Sequence, residues 1–366
     1  MRRIYLDHAA TTPLLPEVRE AMAPWLDREF GNPSSLHEEG RRARAAIDEA
    51  REVLSGCLGC LFAEVLFTSS GTEAANLAIV GAALANEDPS RRRVLVGAAE
   101  HHCVLHTRPL LEKLGFRVEP IQVDRIGRLR LDTLEQMLGP DVLLVSVMHA
   151  NNELGTIQPA GEALQLARQN GALFHCDAVQ TFGFPEADLI TYSAHKIYGP
   201  KGVGAIYIKA GTKVKPLAVG GGQEREMRAG TENVAGIVGF AAAVKAMPKA
   251  VNSTARDVFL ERLAAAGFVP TVPDSLDTLP GHAHGRFPGI DAETILIRLD
   301  RAGVSASSGA ACSSGSLEPS HVLLACGYSE KEAKEGLRFT FGRFSTVADA
   351  EEAAARVINC ATGLRK

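Results

Sequence analysis

Hydrophobic and polar positions along the chain alternate between two periods. Short apolar runs recur at 64–68 (EVLFT), 94–97 (VLVG), 116–123 (FRVEPIQV), 142–149 (VLLVSVMH), 172–178 (ALFHCDA) and 204–208 (GAIYI), and each reads as a strand; a further apolar run, ADLITY, occupies 187–192. Between them lies amphipathic, charge-patterned text that predicts helices over 36–54, 72–86, 103–114 and 160–170. Strands of this kind alternating with helices indicate an α/β fold, a mostly parallel sheet covered on both faces. From 251 the text changes: a helix opens at Asn252-Ser253-Thr254, Pro and Gly cluster between 270 and 289, and the helical ETILIRLDRAG follows. The pattern therefore predicts a large domain over 15–250 and a smaller α+β domain made of 1–14 and 251–366.

With 366 residues, 46% of them hydrophobic, the chain has enough material for two cores. A formal net charge of -4 offers no basic footprint for nucleic acid or an anionic membrane, so small molecules or proteins are the expected partners. No signal-peptide pattern opens the chain and no window approaches the roughly 20 apolar residues of a membrane span, which predicts a soluble, cytoplasmic protein. Seven cysteines, odd in number and scattered, argue against a disulfide framework. Most are expected to be buried small hydrophobes, including the Cys57/Cys60 pair, whose C-x-x-C spacing lacks the second half of a zinc site. No metal site is expected.

In open α/β sheets ligands collect beyond the carboxyl ends of the strands, and the residues there are chemically pointed. Lys196 sits in SAHKIYGPKGVG, flanked by Ser193 and His195 and by glycines that fix a tight backbone. A lone lysine is ordinarily a surface residue, but this turn suits an amine that forms a Schiff base with an aldehyde. Asp177 ends a strand with Gln180 three positions on. A buried carboxylate there needs a partner, and a protonated pyridine nitrogen would be one, although a helix cap is the alternative. SSGTEAAN at 69–76 turns from strand to helix through Gly71 and Thr72, a geometry that binds phosphate. His101 and Asn152 end two further strands. Cys312 lies in SASSGAACSSGS at 305–316, where small flexible neighbours suit a mobile nucleophile as well as a structural thiol. Arg338 and Arg343 interrupt the apolar run LRFTFGRF; an arginine there is either an edge-strand gatekeeper or a bidentate holder of a carboxylate, and the first lies closer to the inward-facing reading.

Together these segments resemble the cysteine desulfurases of the NifS/IscS type, a branch of the class V aminotransferases with the pyridoxal-phosphate (PLP) transferase fold type I. The resemblance runs nearly end to end, through YLDHAATTP at 5–13, GNPSSLHEEGR at 31–41, FTSSGTEAAN, EHH at 100–102, MHANNELGTIQP, HCDAVQTFG, SAHKIYGPKGVG, GGGQEREMRAGTENV at 220–234, SSGAACSSGSLEPSHVL and LRFTFGRF.

It implies PLP as cofactor, with Lys196 as the Schiff-base lysine, Asp177 on the ring nitrogen, Gln180 on the ring hydroxyl and His101 stacked on the ring. Gly71, Thr72, Ser193 and His195 would hold the phosphate, joined by Thr231 of a second subunit, so a homodimer is implied. Asn152, placed against both cofactor and substrate, and Arg338 would orient the carboxylate of L-cysteine, with Asn32 near by. Cys312 would receive the sulfur as a persulfide, leaving L-alanine. The 26 positions from Cys312 to Arg338 match the long-loop desulfurases. That implies delivery to acceptors such as an iron-sulfur scaffold or tRNA thiolation proteins, and a transient cluster contact at Cys312. Selenocysteine lyase or another class V aminotransferase is the alternative. The stretch from Gln180 to Ser193 is shorter than is usual in the family, which implies a trimmed surface helix.

Overall fold

The computed structural model describes residues 2–183, 186–248, 253–273, 278–309 and 318–364. Cys312 and most of its loop lie outside the described residues.

Among the described residues, twelve strands form three sheets. The largest has seven strands in the order β2-β8-β7-β6-β5-β3-β4: β2 (Val65–Thr68), β3 (Arg93–Gly97), β4 (Arg117–Ile121), β5 (Val142–Ser146), β6 (Leu173–Asp177), β7 (Leu189–Ser193) and β8 (Gly204–Ile208). All are parallel except β8, which runs antiparallel to both β2 and β7. Every residue of β5 and β7 is buried, as expected of a sheet covered on both sides.

Because successive side chains point to opposite faces, each strand feeds two cores. Leu95, Val145, Ile190 and Ala205 pack with Ile47, Leu54, Leu164 and Phe240 of the helices Glu38–Leu58, Ala160–Gln169 and Val234–Lys245. Val94, Val96, Leu144, Leu189 and Ile206 pack with Ala74, Ala78 and Leu111 of the helices Gly71–Ala85 and Arg108–Lys113.

A separate core gathers Ile4 and Leu6 with residues between 255 and 361, among them Phe259, Phe287, Leu299, Phe339 and Val357. It covers one face of the antiparallel sheet β12-β10-β9, formed by β9 (Val269–Pro270), β10 (His282–Arg286) and β12 (Gly336–Thr340). The remaining strands, β1 (Ile4–Tyr5) and β11 (Val304–Ser305), pair in parallel. His282 lies opposite Thr340 and His284 opposite Arg338, so the other face of this sheet is polar, yet all four residues are buried.

Two predicted helices differ from what forms. The one expected over 36–54 runs from Glu38 to Leu58 and stops where Gly59 takes the left-handed conformation, a common helix end. The one expected over 103–114 is two short helices, His102–Leu105 and Arg108–Lys113, because Pro109 fits a first turn but not a helix interior. The expectation for the cysteines holds for Cys176 and Cys326, which are buried; Cys60, Cys103 and Cys360 are half-buried and Cys57 is exposed. Among the described residues, no helix is long and apolar enough to cross a membrane.

Candidate active site

The parallel strands direct their carboxyl ends to one edge of the sheet, and the loops leaving that edge carry the residues singled out above. At the end of β6, Asp177 is buried, and its Oδ1 accepts the amide of Val179 at 3.0 Å. Burial pushes its pKa up to about 6, against the lowering effects of the Val179 bond and of nearby Lys196. A carboxylate kept out of water in this way favours a cationic hydrogen-bond donor as partner.

Lys196 closes a short helical turn, Ala194–Lys196, directly after β7. Its Nζ donates to the carbonyls of Ala9 and, at 2.9 Å, of Ala10. Gln180 donates from Nε2 to the same Ala9 carbonyl at 3.2 Å. The N-terminal loop is thus the floor on which the lysine rests. A cavity of about 530 Å³ reaches Lys196 and Gln180 from the side of His8, Tyr198 and His282.

His101 precedes the helix His102–Leu105 and accepts the Cys103 amide on Nδ1 at 3.1 Å, which leaves the ring proton on Nε2. Burial and the Lys196 charge lower its pKa to about 4. His195 is likewise lowered to about 4, by burial and then by Lys196, and its Nδ1 lies 3.2 Å from the Thr11 hydroxyl. Both rings are neutral at pH 7. Ser193 is buried at the end of β7. Ser70 caps the helix Gly71–Ala85 by accepting the Glu73 amide at 3.1 Å, and Thr72 is exposed in its first turn. The first amides of a helix point outward and have no partner within it, so this turn presents donors to an anion.

Arg338 is buried in β12. Its Nη1 donates to the Asn152 carbonyl and its Nη2 to Oδ1 of Asp7, both at 2.8 Å, while Nε has no partner among the described residues. Arg343, the other arginine of that run, is exposed and donates to the Ala246 carbonyl at 3.0 Å. The neighbouring asparagines divide their work. Asn151 is fully buried and braces the turn, donating to the Ala99 carbonyl and accepting the amides of Glu153 and Leu154, all at 2.9 Å; Asn152 is half-buried.

Asn32 is exposed in a loop and accepts the Ser34 amide at 2.9 Å. Thr231 is exposed between Gly230 and the buried Glu232.

Three contributors were not singled out in the sequence beyond their motifs. Glu100, just before His101, is fully buried; burial and the Asp177 charge push its pKa well above the carboxylate range. Cys103 brings its Sγ to 4.0 Å from Oδ2 of Asp177. His321, just after the Cys312 loop, contacts the Glu100 carbonyl through Nε2 at 2.9 Å, and its ring meets that of His102 at 4.3 Å between centroids. The EHHC text at a strand end is a signal for the first two. Nothing local marks His321.

The donor set fits PLP: a buried carboxylate for a pyridinium, a lysine for an aldehyde, and a helix start with two hydroxyls for a phosphate. Residues 4–352 match the family described as aminotransferase class-V. The cysteine desulfurase IscS of Dictyoglomus turgidum is 45% identical over 95% of this chain and 92% of its own length. That of Methanosarcina thermophila is 41% identical over 96% and 90%. A solved NifS-like protein superposes with a TM-score of 0.90 at 33% identity, covering 99% of this chain and 100% of its own. SspA in complex with cysteine gives 0.83 at 32%, covering 94% and 100%. This family depends on PLP. A match over residues 4–352, which takes in the whole seven-stranded sheet, with relatives this similar, means that the chain belongs to the class V aminotransferases, in their IscS/NifS cysteine desulfurase branch.

Proposed function

We propose that the protein is a PLP-dependent cysteine desulfurase that converts L-cysteine to L-alanine and carries the released sulfur on Cys312. The observation that carries the proposal is the buried Asp177 carboxylate at the end of β6 beside Lys196. The named activity of the relatives favours this reading over selenocysteine lyase or another class V aminotransferase.

Asp177, Gln180 and His101 would hold the ring; Gly71, Thr72, Ser193 and His195 would hold the phosphate. When bound, PLP withdraws electrons from the α-carbon of the substrate. Arg338 and Asn152 orient the substrate carboxylate, with Asn32 as a further contact. Lys196 takes the α-proton, and Asp177 keeps the ring nitrogen protonated. Neutral His101, with its proton on Nε2, would assist proton transfer by donating a hydrogen bond from that nitrogen. The Cys312 thiolate attacks the substrate sulfur: an S–S bond forms, the Cβ–S bond breaks and the carbon keeps the electron pair; one proton completes the methyl group and Lys196 returns the other to the α-carbon, giving alanine and a persulfide on Cys312.

A homodimer fits the exposure of Thr231, which would complete the phosphate site of the partner subunit. The separate cores support two domains, 15–250 and 1–14 with 251–366. The long loop fits delivery of sulfur to an iron-sulfur scaffold or to tRNA thiolation proteins, with transient cluster contact at Cys312. The free thiols among the described residues fit a reducing cytoplasm.

Incubation of the PLP-loaded protein with L-cysteine and a reductant tests this. Equimolar sulfide and alanine are expected, lost in Cys312→Ala while the bound-cofactor absorbance stays. A PLP-loaded parent that yields no sulfide would overturn the reading.

A further inference from the structure

Thr231 belongs to the glycine-rich strap 220–233, GGGQEREMRAGTEN. Within it three consecutive non-glycine residues hold the left-handed conformation: Glu224 (φ 44°), Arg225 (φ 57°) and Glu226 (φ 65°). Such residues populate it sparsely, and a run of three persists only where the surroundings dictate it.

A buried ion pair supplies that constraint. Arg51, on the helix Glu38–Leu58, donates from Nη1 and Nη2 to the two carboxylate oxygens of Glu224 at 2.8 and 2.7 Å. The same carboxylate accepts the Phe67 amide at 2.9 Å, and Arg51 also reaches the Val65 carbonyl at 2.7 Å. The guanidinium lies 4.9 Å from the ring centre of Phe67 and 5.4 Å from that of Phe62. With side chains only 3% and 1% exposed, the pair loses in desolvation much of what it gains in attraction, so its main effect is geometric. It fixes the strap to strand β2.

Two further pairs bracket Thr231. Arg228 donates to Glu73, next to Thr72 in the phosphate turn, at 2.8 Å. Glu232 accepts from Arg44 at 2.6 Å. Arg44 and Arg51 are seven positions apart, hence on one face of their helix. The strap is therefore held at both ends by one helix, and Thr231 projects from between the ties.

We propose that Arg51 and Glu224 are positioning residues for the cofactor of a second copy of this chain: by locking the left-handed turn they present Thr231 to the partner's PLP phosphate. Neither touches the cofactor. The inference rests on the reading of Thr231 and of the dimer given above.

The test is PLP affinity, measured by titrating apo-protein, with the dimer followed by sedimentation, for Thr231→Val, the double variant Arg51→Met/Glu224→Gln, and the triple. Removing both charges together avoids stranding one of them. Thr231→Val and the double variant are each expected to weaken PLP binding roughly tenfold, the loss of a hydrogen bond to a charged group. The triple variant should be no weaker than Thr231→Val alone, because the clamp acts only through Thr231. A double variant that binds PLP like the parent, or a triple whose losses multiply, would overturn the clamp. Unchanged affinity in Thr231→Val would instead sink the reading of Thr231, and the clamp's target with it. Should the double variant not fold, Arg51→Lys keeps the charge but not the two-pronged contact, and unchanged PLP affinity there overturns the proposal equally.

Discussion

Oδ1 of Asp177 accepts the Val179 amide at 3.0 Å, yet this bond does not offset the burial of the carboxyl, whose pKa stands at about 6 against an ordinary 3.8. An acid raised in the fold is destabilising once ionised. The apo-protein should lose stability as the pH climbs from about 4 to 6, and stay penalised above that by about 3 kcal/mol. Apo Asp177→Asn should therefore melt higher than the apo parent at pH 7.5, with the gap closing at pH 4.5, while its PLP affinity and desulfurase activity collapse. Equal melting of the two apo-proteins at pH 7.5 would refute the burial account.

Three fully buried histidines push the other way. His175, His282 and His284 are each lowered to about 3 from 6.5, by burial first and, for the last two, by the Arg338 charge. A base lowered in the fold gives stability that is complete above 6.5 and lost as the pH falls through it. Each contributes about 1.4 kcal/mol per pH unit, so the three outweigh Asp177. The urea midpoint should drop markedly between pH 6.5 and 5; a flat profile there would mean that these rings are not excluded from water.

Substitution of Arg338 should separate binding from turnover. Its guanidinium spends two nitrogens on Asn152 and Asp7, and its Nε has no partner among the described residues. Arg338→Lys preserves the charge but cannot hold both neighbours and a carboxylate at once. KM for L-cysteine is expected to rise about tenfold or more with a smaller change in kcat. A fall in kcat alone would place Arg338 outside the substrate contact.

Gly204 tolerates no side chain. A Cβ there would meet the Ser70 carbonyl carbon at 2.6 Å and the Ser70 and Tyr192 carbonyl oxygens at 2.8 Å, all of them backbone atoms. Gly204→Ala should cost about 1–3 kcal/mol. It should also loosen PLP, if the helix that Ser70 caps holds the phosphate as proposed. Thermal melting and PLP titration of one preparation read both effects.

The seven-stranded sheet was legible because both its faces are buried, so its strands stand out as unbroken apolar runs. That Asp177, Lys196 and His101 are neighbours was legible because a parallel sheet delivers its strand ends to one edge. The clamp was not. Arg44 and Arg51 read as ordinary charged positions on an amphipathic helix, and the left-handed turn at Glu224 has no glycine to mark it. Both exist only because the strap folds back over β2. The break before Pro109 and the stop at Gly59 could have been read from those two residues.

The pairing of Ile4 with Val304 spans roughly 300 positions. The loop that follows β1 carries the carbonyls of Ala9 and Ala10 that receive Lys196. During synthesis at about 5–20 residues per second, the first strand would leave the ribosome about 15–60 s before its partner exists. The seven-stranded sheet can form in that interval, but the floor beneath its lysine cannot be fastened. Maturation of the catalytic pocket is thus a late event, and a chain interrupted before β11 would carry a finished sheet with an unfinished site.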